Sequence, residues 1–154
     1  MNTYSNEVRA HTALHVIKGS LQKVLGTKLT YSTYVKDNHG RIGVLANVKP
    51  REEEIEEVMR EANGVIEKGL PVLREILPRD DAERIYGKDV YDYFPVPSEV
   101  RELIVIKIPN WNVNACSRDH TANTREVGQV LLDYWRYKQA KGLLEVAFNL
   151  ARSE

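Results

Sequence analysis

Three of the chain's four histidines and its single cysteine fall into two pairs, His11-x-x-x-His15 and Cys116-x-x-x-His120, some hundred residues apart. Imidazole nitrogen and thiolate sulfur are donors that zinc prefers, usually four in a tetrahedron. Residues four apart on a helix stand one turn above each other on one face, so each pair can grip a single ion. Either pair alone is a common pattern. Together they use almost every soft donor the chain has.

Three chemistries suit such a set. A zinc ion held by some or all of the four lowers the pKa of a bound water to about 7 and polarises a carbonyl. Alternatively the four donors close the tetrahedron and the ion staples the fold. In the third case no metal is required: Cys116 acts as a thiolate nucleophile beside a histidine base, or a histidine activates water. Closed four-donor sites are usually structural, so catalysis by the first route requires one loose ligand. The sequence has no Gly-x-Ser-x-Gly elbow, phosphate-cradling glycine loop, dinucleotide fingerprint or His-Glu-x-x-His.

The first pair belongs to a helix. Ser5 and Asn6 are good N-caps, Glu7 suits a first turn, and Gly26 stops the element after Leu25. Ala10, Leu14, Ile17, Leu21 and Val24 make its apolar stripe, and His11 and His15 border that stripe. Residues 27–36 and 41–48 read as strands of a hairpin around Asp37-Asn38-His39-Gly40, with His39 a solvated turn residue. Pro50 opens a second helix to about Lys68, with Ile55, Val58, Met59, Ala62 and Ile66 inward. Residues 71–76 read as a short strand. Asp80 or Asp81 caps a brief helix ending near Gly87. Residues 89–97 form a proline-pinned aromatic loop, read mostly as packed surface. Residues 103–108 form a central strand, 109–115 lead into Cys116, and 129–137 with 142–150 form a last hairpin. The expectation is one α+β domain over residues 1–154, with a mixed or antiparallel sheet packed against two long helices. Its histidine face should turn toward the loop carrying Cys116.

At 154 residues, 42% hydrophobic and 29% charged, the composition is that of a globular domain with a real core. A lone cysteine fits a reducing compartment, and the absence of an apolar leader or long apolar run points to the cytoplasm, with no membrane or DNA partner. Net charge is zero, which argues against avid nucleic-acid binding, but it is unevenly spread. Residues 1–48 carry six basic and two acidic side chains, 49–99 eight and fourteen, and 100–154 eight and six. Both donor pairs lie in the positive segments, where a polyanion would be steered.

With His-Thr-Ala-Leu-His at 11–15 and Cys-x-x-x-His at 116–120, the chain resembles the editing domain shared by alanyl- and threonyl-tRNA synthetases. In length it is most similar to the short freestanding alanyl-tRNA editing proteins called AlaX. Tyr31-Ser32-Thr33-Tyr34-Val35 stands where the family has a Gly-Ser-x-Val hairpin element, and Arg41-Ile42-Gly43-Val44 where it has Arg-x-x-Phe. Thr124-Arg125-Glu126-Val127-Gly128 matches its Thr-x-x-Ile-Gly segment. Trp111 to Cys116 and Tyr-Asp-Tyr-Phe-Pro-Val-Pro resemble the short forms in particular. Two departures stand out: Cys116-Ser117-Arg118-Asp119-His120 replaces Cys-x-Gly-Thr-His, and the glycine-rich hairpin element is reduced to Ser32-Thr33.

The resemblance implies a second-sieve hydrolase that removes serine, and in some members glycine, from mischarged tRNA(Ala), because an alanine pocket discriminates poorly between small side chains. It implies zinc on His11, His15, Cys116 and His120, or those residues as a metal-free reactive centre, since threonyl editing domains work without a fixed metal. Ser32 or Thr33 would meet the substrate hydroxyl, and Asn112 and Asn114 would orient a ligand or the terminal ribose. Lys18, Arg118 and Arg125 are the candidate RNA-phosphate contacts. The rival is a non-enzymatic, zinc-stapled RNA-binding module.

Overall fold

The computed structural model describes residues 4–27 and 29–151. Lys28, inside the first expected strand, the first three residues and the last three lie outside the described set. Helix α1 spans Asn6–Leu25; Ser5 Oγ accepts from Val8 N–H at its start, and Gly26 ends it at φ +70°, where a Cβ would be strained. Strands β1 (Thr30–Lys36) and β2 (His39–Leu45) form the expected hairpin. Helix α2 (Glu52–Lys68) follows, ended by Gly69 at φ +75°. Next come β3 (Leu73–Pro78), the short helix α3 (Arg79–Tyr86), β4 (Glu102–Ile108), β5 (Asn112–Ala115), β6 (Val130–Lys138) and β7 (Leu143–Leu150).

The class is α+β, and the strands make two antiparallel sheets. One is ordered β1-β2-β7-β6, the other β3-β4-β5. The strand β5 was not foreseen; it has four residues and alternates Asn with apolar side chains, so it lacks a hydrophobic run. His39 is not a free turn residue: it opens β2, and its Nδ1 lies 3.0 Å from Asn149 Oδ1 on the neighbouring strand.

Helix α1 runs through the middle of the protein, touching β1 and β2 of the first sheet, β5 of the second, and α2. Ala10, Leu14, Ile17 and Leu21 of its expected stripe are in the core, as are Ala13 and Val16 beside them, while Val24 is half-buried against it. Ile42, Val44, Leu144, Val146 and Phe148 face it from the first sheet, and Ile55, Val58 and Ala62 from α2. With apolar walls on several sides, α1 buries polar residues too, and each needs a partner. Arg9 donates from Nε and Nη2 to Val127 O at 3.1 and 2.8 Å. Thr12 Oγ1 accepts from Thr121 N–H at 2.8 Å, which pins the segment after His120 to the turn beside His11 and His15. A smaller core of Ala82, Val90, Tyr91, Leu103 and Val105 anchors the second sheet.

Candidate metal centre and its cavity

The two donor pairs meet where α1 passes the end of β5. Donor atoms of His15, Cys116 and His120 lie within 4.8 Å of one another. Cys116 Sγ is 3.7 Å from His120 Nε2, and the His15 and His120 ring centroids are 4.7 Å apart. His11, one turn earlier on α1, lines the same cavity but is not part of that tight group. Three grouped protein donors could hold a metal ion and leave a fourth position open.

Asn112 fixes the orientation of His15. Its Oδ1 lies 3.3 Å from His15 Nδ1, while its Nδ2 donates to Gln22 Oε1 at 3.3 Å. With the amide in this orientation Oδ1 accepts and His15 carries its proton on Nδ1. Its Nε2 lone pair is then free for an ion, with an oriented second sphere of the kind metal-bound histidines have. His120 Nδ1 is buried and has no close hydrogen-bond partner among the described residues.

Burial dominates the electrostatics. It pushes His15 down to about 3, with His120 and Lys18 adding to the effect, and His120 down to about 4, aided by the His11 charge. His11 is lowered by burial first and then by the Arg118 charge. At neutral pH all three imidazoles are uncharged and can donate lone pairs. Burial raises the Cys116 thiol, so an ion would have to displace its proton. The residues present therefore fit a soft divalent cation such as zinc, with His15, Cys116 and His120 as its holders.

The cavity beside these donors has a volume of about 670 Å³. Of the two hydroxyls expected to meet a substrate, Thr33 lines it, whereas Ser32 does not. Thr33 pairs with inward-facing Ile42; Ser32 pairs with Gly43, on the sheet's other face. Thr30 was missed. It is buried, lines the cavity, and its Oγ1 has no hydrogen-bond partner among the described residues. A buried hydroxyl without a partner is costly unless a ligand or water satisfies it. No sequence pattern separates it from an ordinary strand threonine.

Asn114 also lines the cavity, and its Nδ2 donates to Val90 O at 2.8 Å and Asp92 Oδ1 at 3.2 Å. Lys18 is corrected: it is buried, with Nζ 2.8 Å from Asp92 Oδ1, so its charge is spent inside the protein rather than offered to a phosphate. Arg125 is exposed, but its Nη2 donates to Glu67 O and Lys68 O at 3.2 and 3.4 Å, capping the end of α2 away from the cavity. Lys18 and Arg118 both line the cavity, and of the three only Arg118 is at once on it and exposed.

No family model matches the chain. It is 36% identical over 123 residues to the alanine–tRNA ligase of Methanopyrus kandleri, a stretch covering 79% of this chain and 13% of that protein. It is similarly 35% identical to the alanine–tRNA ligase of Thermococcus kodakarensis over 80% of this chain and 13% of the relative. With that of Korarchaeum cryptofilum the match is 32% over 94% of this chain and 16% of the relative. The chain thus spans roughly a seventh of the length of these curated relatives. It is a homologue of one segment of the alanine–tRNA ligases.

Proposed function

We propose that this chain is an aminoacyl-tRNA deacylase of the short AlaX kind, a single domain that hydrolyses seryl-tRNA(Ala), and glycyl-tRNA(Ala) more slowly, in the cytoplasm. The observation that carries this is the convergence of His15, Cys116 and His120 beside a cavity large enough for an amino acid and a terminal ribose. Relatedness to a segment of alanine–tRNA ligases supplies the substrate class. A staple buried for stability alone would need no cavity at its side.

Zinc held by His15, Cys116 and His120 would supply Lewis acidity to the ester carbonyl. The chain's own groups do the rest. His11, uncharged at neutral pH and on the cavity wall, accepts a proton from the attacking water at an imidazole nitrogen. Water oxygen bonds to the carbonyl carbon, the ester C–O bond breaks, and the proton held by His11 passes to the leaving ribose oxygen. Thr30 Oγ1, otherwise unsatisfied, hydrogen-bonds the serine hydroxyl, with Thr33 nearer the mouth. Arg118 meets the RNA backbone.

The test combines metal analysis with deacylation of seryl-, glycyl- and alanyl-tRNA(Ala). Stoichiometric zinc and fastest release of serine are expected. If wild-type protein leaves all three esters intact, and ligand variants unfold, the ion is structural and the protein is an RNA-binding module.

A further inference from the structure

Tyr93 and Phe94, in the loop after α3, and Tyr31, in β1, hold three aromatic rings in water, close in sequence to residues that line the cavity. Tyr31, Tyr93 and Phe94 are 38%, 47% and 66% exposed, and their ring centroids lie 5.0–5.4 Å apart. Expected as packed surface, the loop is divided: Tyr91 turns into the small core, while Tyr93 and Phe94 turn outward. Large apolar rings clustered in solvent mark an interaction surface more often than a packing accident.

The cluster is rigidly built. Tyr93 N–H donates to Thr30 O at 2.8 Å, tying the loop to β1. The register of β1 shifts between Thr30 and Ser32, a bulge that re-aims the intervening Tyr31. Arg79 is buried and donates to the carbonyls of Val96, Pro97 and Val100 at 2.9, 2.6 and 3.0 Å, so the rest of the loop is bound from beneath. Pro95 and Pro97 fix their own φ angles. A partner would therefore meet preorganised rings, with little ordering left to offset.

Its neighbours say what kind of partner fits. Thr30 and Thr33, beside Tyr31, and Asp92 and Val96, flanking Tyr93 and Phe94, line the cavity that ends at the His/Cys donors. Arg118, on the same cavity, has an exposed guanidinium and makes no ion pair among the described residues. Exposed ring faces, tilted 46–80° to one another, and an exposed arginine whose cavity is lined by the rings' chain neighbours are complementary to an unpaired nucleotide: a ring face for the base, the arginine for the phosphate.

We propose that Tyr31, Tyr93 and Phe94 form a stacking platform for the unpaired 3′-terminal bases of the RNA whose ester enters the cavity. The proposal rests on the deacylase reading above and deepens it, because the platform recognises the RNA end independently of any acceptor-stem contact.

The test uses full-length protein and three probes: seryl-tRNA(Ala), serine methyl ester, which has no base, and a short single-stranded RNA ending in 2-aminopurine, whose fluorescence is quenched by stacking. Phe94→Ala and Tyr31→Ala should each lower kcat/KM for seryl-tRNA relative to serine methyl ester by at least about fivefold. Wild type and Phe94→Trp should quench 2-aminopurine; the double alanine variant should not. Unchanged substrate preference, or equal quenching by wild type and double variant, overturns the platform. If wild type cleaves neither ester, the deacylase reading fails while quenching still decides the platform: loss of quenching in the double variant supports it, and no quenching by wild type overturns it. If the variants leave RNA behaviour untouched and instead change the sedimenting mass, the rings dock protein and the proposal is overturned.

Discussion

Gly19 lies against the indole of Trp111 so closely that a Cβ built there would stand 2.8 Å from Cε2, while the same indole donates from Nε1 to Val16 O at 2.8 Å. The contact locks α1 to the segment that starts β5, and β5 leads directly to Cys116. The positions of the two donor pairs are thus coupled through one glycine. Gly19→Ala should overpack this junction, cost about 1–3 kcal/mol, lower the melting temperature and weaken zinc binding. Gly64→Ala is the control: on α2 a Cβ meets nothing within 4 Å, so stability should be unchanged or slightly higher. Equal melting temperatures for the two variants would contradict the coupling.

Asn112 should matter to the ion more than to the fold. With its Oδ1 gone, His15 loses the acceptor that fixes its tautomer, and such second-sphere losses typically cost about 10–100-fold in metal affinity. Asn112→Ala is expected to show that loss in a chelator competition while still melting cooperatively. Asn112→Asp keeps an acceptor and should recover much of the affinity. Identical affinity in all three proteins would remove Asn112 from the site.

The pH dependence has a definite sign. In metal-stripped protein, folded His15 and His120 take up protons only near about 3 and about 4, whereas unfolded histidine does so near its ordinary value of about 6.5. Below that value the unfolded chain binds more protons than the folded one. The stability these two residues contribute is therefore fully present above about 6.5 and is lost as pH falls toward 4 and then 3. Melting temperature should be level from pH 7 to 8 and fall below 6.5, with a shallower fall in His15→Gln. A flat profile in stripped wild-type protein would mean that the imidazoles are not buried as described.

Thr30→Val tests the unsatisfied hydroxyl. The change keeps the shape of the side chain and removes its oxygen, so seryl-tRNA should lose about 1–3 kcal/mol of preference over alanyl-tRNA. Thr33→Val, nearer the mouth and more exposed, should lose less. Ser32→Ala, on the opposite face, should leave the preference unaltered. A ranking with Ser32 above Thr30 would place the amino acid elsewhere.

Local signals were legible in sequence, and long-range partnerships were not. Ser5, Gly26 and Gly69 mark helix ends because capping is decided within a few residues. The two donor pairs were visible because their spacing and rarity are local properties. The helical wheel, by contrast, set His11 and His15 at the border of a stripe, as on a helix packed from one side. Helix α1 is walled on several sides, so His15 and Lys18 are buried together with the apolar residues. Lys18 read as a surface cation because Asp92, its partner, lies 74 residues away. Asn112 and Asn114 read as loop chemistry for the same reason: their partners come from α1 and from the segment around Val90 and Asp92.

The antiparallel pairing of β2 with β7, from His39↔Asn149 to Leu45↔Leu143, joins an early strand to the last one described. During synthesis β2 therefore waits for its inner neighbour until residue 150 has left the ribosome, and β6 waits with it. Pairing of such separation makes folding slow relative to helical proteins of this size. The donors on α1 cannot meet Cys116 and His120 before those residues are made, so a growing chain carries the first two histidines without a finished site. The donor cluster would then be set by a threshold in chain length, since no donor set spanning residues 15–120 exists on a shorter polypeptide.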